Sequence, residues 1–128
     1  MTKPVLLDAS CILAWVFDEQ GATKVEAKLS TAYITSVNIS EVIDRLHNRG
    51  DDGFGLVQDL VSHGLTVVPF ALPHLGSLHI LYSALNGAKI SLGDRCALTY
   101  GIHQEMDIWT SDRMWAKLVL PTKVTLIR

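Results

Sequence analysis

The stretch Val5-Leu6-Leu7-Asp8-Ala9-Ser10-Cys11-Ile12-Leu13-Ala14-Trp15 constrains the chain more than any other. Its first three residues form an uninterrupted apolar run, the pattern of a short strand buried on both faces. From Ile12 to Phe17 apolar side chains cover most of a helix, which reads as a buried one. Asp8 stands at the junction. In an open α/β sheet, ligands bind outside the carboxyl ends of the strands, so an acid placed there beside Ala9 and Ser10 is a candidate metal ligand. Asp is also a favoured helix N-cap, and the residues of this stretch leave both roles open.

The remaining segments follow the same alternation. Ala22 to Leu29 reads as a short helix and Thr31 to Thr35 as a strand. Val42, Ile43 and Leu46 recur at helical spacing in a segment that stops at Asn48-Arg49-Gly50. A helix from Asp51-Asp52-Gly53 to His63-Gly64 precedes a third strand, Leu65 to Phe70, and a helix from about Leu75 to Leu85. After Ser91 comes a helix in which Gly93, Ala97 and Gly101 repeat every fourth position, a stripe that allows close approach to a neighbour. Asp107 to Asp112 reads as a fourth strand, Arg113 to Leu118 as a short helix and Lys123 to Ile127 as a last strand. Strands alternating with helices predict a three-layer α/β/α sandwich around a mostly parallel sheet. Residues 1–128 fit a single domain, and at 48% hydrophobic and 19% charged the chain has the composition of a globular core.

Four acids fall at strand ends or helix starts: Asp8, Glu41, Asp94 and Asp112. Each has a local alternative. Ser91 and Asp94 match a capping box, Glu41 has Ser36 and Asn38 ahead of it for the same purpose, and Asp112 can cap the helix that follows. Asp44, three residues after Glu41, reads as a solvated surface acid. Capping does not explain why the acids end at one sheet edge, where Asp8 and Asp112 at least should share a crevice. Gathered carboxylates raise one another's pKa unless a cation neutralises them. Oxygen donors without His or Cys select a hard ion, Mg²⁺ or its substitute Mn²⁺, and such sites serve in-line displacement at phosphorus. The net charge of −2 disfavours a nucleic-acid partner, yet setting these four aside leaves 9 acids against 11 Lys and Arg. The five histidines are scattered and receive no role. Cys11 and Cys96 lack the spacing of a zinc site or disulfide scaffold and read as small buried hydrophobes.

Four segments, Leu6-Leu7-Asp8-Ala9-Ser10, Ser40-Glu41-Val42, Leu92-Gly93-Asp94-Arg95 and Thr110-Ser111-Asp112-Arg113-Met114-Trp115, together resemble a PIN domain, more narrowly a VapC-type toxin of a bacterial toxin–antitoxin pair. The resemblance runs from Val5 to the last strand. It implies a Mg²⁺-dependent endoribonuclease with Asp8 and Asp94 as principal metal ligands. Glu41 would complete the cluster or orient the attacking water, and Asp112 would bind a second ion or act through water. Ser10 and Ser111 match hydroxyl positions that support the cluster by hydrogen bonds. The resemblance further implies a homodimer and a small antitoxin that blocks the site. Arg95 and Arg113, each following a proposed ligand, can hold RNA phosphates or form surface ion pairs.

Other readings fit less well. A phosphatase with Asp8 as covalent nucleophile wants a second Asp where Ser10 stands, and a receiver-type domain wants an acid where the third strand reads Val68-Pro69-Phe70. The alternative from another class is a catalytically silent PIN-like module that binds RNA or protein. With no apolar run of membrane-spanning length and no secretory signal at Met1-Thr2-Lys3-Pro4, the expected location is the cytoplasm.

Overall fold

The computed structural model describes residues 4–128; Met1-Thr2-Lys3, on which the expectation of no secretory signal falls, lies outside the described residues. The chain forms β1 (Val5–Leu7), α1 (Ala9–Val16), α2 (Ala22–Glu26), β2 (Tyr33–Thr35), α3 (Ser36–His47), α4 (Gly53–Ser62) and β3 (Thr66–Val68). A 3-10 segment (Leu72–Ser77) leads into α5 (Leu78–Leu85) and α6 (Leu92–His103). Then come β4 (Asp107–Thr110), a second 3-10 segment (Arg113–Lys117) and β5 (Val124–Leu126). The five strands lie in the order β3-β2-β1-β4-β5, and every pairing is parallel. The sandwich read from the sequence is therefore the observed one, with a wholly parallel sheet.

Side chains of a strand alternate between its faces, and each face here has its own core. Val5 and Leu7 of β1 join Trp109 of β4 in a cluster with Ile12, Val25, Val42, Leu46 and Leu60 from α1 to α4. Leu6 and Ile108, paired in register, face the other way onto Leu81, Leu85, Ala97 and Leu98 of α5 and α6 and onto Trp115. The small-residue stripe of α6 does what its spacing predicts. A Cβ on Gly101 would sit 2.4 Å from the Ile108 side chain, so this helix lies closer to β4 than any larger residue permits.

One helix differs from its expected form. The segment read as continuous from Leu75 to Leu85 is a 3-10 turn followed by α5. Pro73 opens the turn, and the Ala71 N–H donates to His74 Nδ1 at 2.8 Å, which fixes the tighter winding before α5 starts. Among the described residues, no helix is long and apolar enough to cross a membrane.

Candidate metal centre

β1 is central, with β2 and β3 on one side and β4 and β5 on the other. The chain thus reverses its winding between β1 and β4, and the crevice at such a switch point is where parallel sheets hold ligands. Asp8 follows β1 directly and Asp112 stands two residues past the end of β4, so both stand on that edge.

Asp8 caps α1 and reaches across the sheet edge at once. Its Oδ1 accepts the Cys11 N–H at 3.1 Å, which closes the first turn of α1, and the Ser10 hydroxyl at 2.6 Å. Its Oδ2 accepts the Thr110 hydroxyl at 2.6 Å across 102 residues of chain. The side chain is almost fully buried, and burial raises its pKa, while the hydrogen bonds from Ser10, Thr110 and Cys11 oppose the rise. These donors favour the carboxylate form in a place where desolvation disfavours it.

Thr110 was not among the residues singled out from the sequence, where Ser111 was expected to supply the second hydroxyl. In the structure the Thr110 hydroxyl donates to Asp8 and accepts the Asp112 N–H at 3.0 Å, linking the two acids. Ser111 contributes through its backbone, its N–H donating to Ser10 Oγ at 3.0 Å. Asp112 caps the 3-10 segment, accepting the Met114 N–H at 2.9 Å, and its side chain is half-buried.

Glu41 lies in the second turn of α3, beyond reach of a capping box. The cap is Thr35, whose Oγ1 accepts the Asn38 N–H at 3.1 Å. Asn38, buried to 1% exposure, donates through Nδ2 to Glu41 Oε1 at 2.9 Å and to the Gly93 carbonyl at 3.1 Å, and its Oδ1 accepts the Thr35 hydroxyl at 2.5 Å. One amide therefore ties α3 to the start of α6 and holds the Glu41 carboxylate there. The approach is so close that a Cβ on Gly93 would lie 2.2 Å from Glu41 Oε1. Asp44, as expected, is exposed.

Asp94 sits in the first turn of α6, where its N–H donates to the Ser91 hydroxyl at 3.2 Å as the capping pattern predicts. Its carboxyl is pushed up to about 6, first by burial and then by the charges of Asp8, Asp112 and Glu41. The four acids thus share one electrostatic neighbourhood. They do not form a closed cage: among the described residues no three His, Cys, Asp or Glu side chains converge tightly enough to enclose an ion. Mg²⁺ does not require one, since it keeps several waters and is usually bound through one or two carboxylates. An all-oxygen donor set with destabilised negative charge fits a hard divalent cation.

An open cleft of about 610 Å³, lined by Ser36, Val37, Ser40, Ser91, Leu92 and Gly93, has Glu41 of the four acids in its wall. A more apolar hollow of about 440 Å³, with Trp15, Leu29, Leu56 and Leu60 in its walls, contains none of the four. Arg113 is exposed and Arg95 half-buried; neither forms an ion pair among the described residues. Cys11 and Cys96 are both free and buried.

A parallel α/β domain with four acids at its switch point defines a class, and the sequence places the chain within it. The PIN domain family model matches residues 5–119, and the chain belongs to that family. No curated protein matches it. Solved structures share the fold at low identity. DNA-bound VapBC from Salmonella typhimurium is 16% identical with a TM-score of 0.74, covering 100% of both chains. VapBC2 from Rickettsia felis, bound to a promoter DNA fragment, is 14% identical with a TM-score of 0.75, covering 95% of this chain and 97% of that one. A toxin-antitoxin complex from Klebsiella pneumoniae is 14% identical with a TM-score of 0.70, covering 93% and 98%.

Proposed function

We propose that this chain is the toxin of a toxin–antitoxin pair and a Mg²⁺-dependent endoribonuclease. The observation that carries the reading is the Asp94 carboxyl, held near 6 by burial and by three other acids at the switch-point edge. Uncompensated, that arrangement costs stability, and a divalent cation turns it into a binding site. Membership of the PIN family and the toxin–antitoxin complexes among the structural neighbours support the same reading.

Asp8 and Asp94 would hold the ion, Mg²⁺ or Mn²⁺. When bound, it supplies a Lewis acid for phosphoryl oxygens and a water nucleophile at neutral pH. The Ser10 and Thr110 hydroxyls donate to the two Asp8 oxygens and oppose the rise in pKa that burial imposes. Glu41, fixed by Asn38, takes up the proton of the attacking water or orients that water. Asp112 completes the cluster beside Asp8, and Arg95 and Arg113 hold RNA phosphates. A cognate antitoxin that covers the site, pairing of two copies and a cytoplasmic location belong to the same proposal.

The test is RNA cleavage by the purified chain, freed of any partner, with Mg²⁺, with a chelator and as Asp94→Asn. Cleavage that requires both the ion and Asp94 is the expected result. A variant that cleaves as well as the parent would remove Asp94 from the site. RNA binding with no cleavage of any RNA would favour the silent binding module.

A further inference from the structure

We propose that the pocket between the end of α5 and the start of α6 is a nucleotide subsite for the RNA strand, with Tyr82 stacking on a base and Lys89 and Arg95 holding its phosphate. The inference rests on the reading of RNA as substrate and adds where the strand lies beyond the scissile bond. The pocket, about 250 Å³, is lined by Tyr82, Leu85, Ala88, Lys89, Ile90 and Arg95. Tyr82 keeps 51% of its surface exposed, while Leu85, three residues further along α5, is buried. Aromatic side chains left open in this way are the platforms on which unpaired bases stack.

The charges point to the same ligand. No lining residue is acidic, and two are cations. The one ion pair among the described residues is Arg128 with Glu19, so Lys89 and Arg95 are both uncommitted. In a chain of net charge −2 with four of its 13 acids gathered at one edge, a polyanion needs cations beside that edge. Arg95 is next to Asp94 on the first turns of α6. The two clefts also flank a single segment: Ile90 lines this pocket and Ser91 lines the cleft beside Glu41. An RNA strand crossing the start of α6 therefore passes from the acids into the pocket.

The experiment separates this subsite from catalysis by measuring binding alone. A fluorescein-labelled single-stranded RNA of mixed sequence is titrated, by anisotropy over a series of salt concentrations, with Asp94→Asn protein carrying Tyr82→Ala, Tyr82→Phe, Lys89→Gln or Arg95→Gln. Tyr82→Ala should weaken binding by about 5- to 150-fold, the span of base–aromatic stacking, and Tyr82→Phe should keep most of the affinity. Each charge-neutralising variant should lower the slope of log K against log salt by about 0.7, one phosphate contact on a single strand. Parent-like affinity and slope in all variants would overturn the subsite. Unchanged RNA binding with an altered sedimentation coefficient would reassign the pocket to a contact between copies of the chain. Should the parent cleave no RNA while these losses of binding appear, the subsite stands and the nuclease reading fails.

Discussion

Replacing Asp94 by Asn should stabilise the ion-free protein. The carboxyl stands at about 6 where an ordinary Asp titrates at 3.8, so the folded state binds a proton more tightly than the unfolded chain does. Stability from this group is fully present below about pH 4 and is lost as pH rises through about 6. At 1.36 kcal/mol per pH unit the full difference is about 3 kcal/mol. Asp94 is only half-buried, and solvent screening brings this to about 1.5 kcal/mol. Against that, Asn loses the favourable charge in the first turn of α6, about 0.5 kcal/mol. The balance is about 1 kcal/mol, or about 4 °C in melting temperature for a domain of this size. Thermal melts by circular dichroism, in chelator near neutral pH, read the difference directly, and it should vanish near pH 4. Added Mg²⁺ should raise the melting point of the parent by mass action and that of the variant far less. If Asp94→Asn melts at or below the parent in chelator, the four acids do not repel one another as described, and the argument for a cation at the crevice loses its physical basis.

Gly93→Ala should leave stability nearly unchanged, since the obstructing atoms are the end of the flexible Glu41 side chain and Ala is the better helix former. Displacing Glu41 by about 1 Å should still cost on the order of 100-fold in RNA cleavage, read as kcat at saturating RNA. Asn38→Asp sets a buried carboxylate against Glu41 and the Gly93 carbonyl, and urea denaturation should show a loss of about 2–4 kcal/mol. A loss below about 1 kcal/mol would mean that the amide is not the clamp between α3 and α6. Thr110→Val removes the hydroxyl that favours ionised Asp8, so the acid limb of the cleavage pH profile should move to higher pH.

Residue spacing carried the fold because each strand is short, apolar and bounded by turns, and because β1 shows its two-sided burial in three consecutive side chains. The 3-10 turn before α5 was hidden because it depends on a His74 side chain folding back onto the Ala71 N–H, which apolar periodicity does not register. For the site, the four acids were visible as residue types, three of them at helix starts and Glu41 a turn further in, while the groups that hold them were not. Thr110 reads as an ordinary strand residue, and Asn38 only as a local capping partner for Glu41. Their roles come from contacts to Asp8, 102 residues away, and to Gly93, 55 residues away. Asp8 also shows that a helix cap need not be only local: one oxygen closes the first turn of α1 while the other reaches the Thr110 hydroxyl on β4.

The distance along the chain between Asp8 and Thr110 fixes when the site can exist during synthesis. β1 leaves the ribosome about 100 residues ahead of β4, its neighbour in the sheet. At about 5–20 residues per second, the first half of the chain waits several seconds with one flank of its central strand bare and Asp8 without the Thr110 donor. A chain broken off before β4 holds Asp8, Glu41 and Asp94 but lacks the strand that completes the crevice. Until β4 docks, the Thr110 hydrogen bond to Asp8 and the Asp112 flank of the crevice do not exist, so the four acids come together in a single late step.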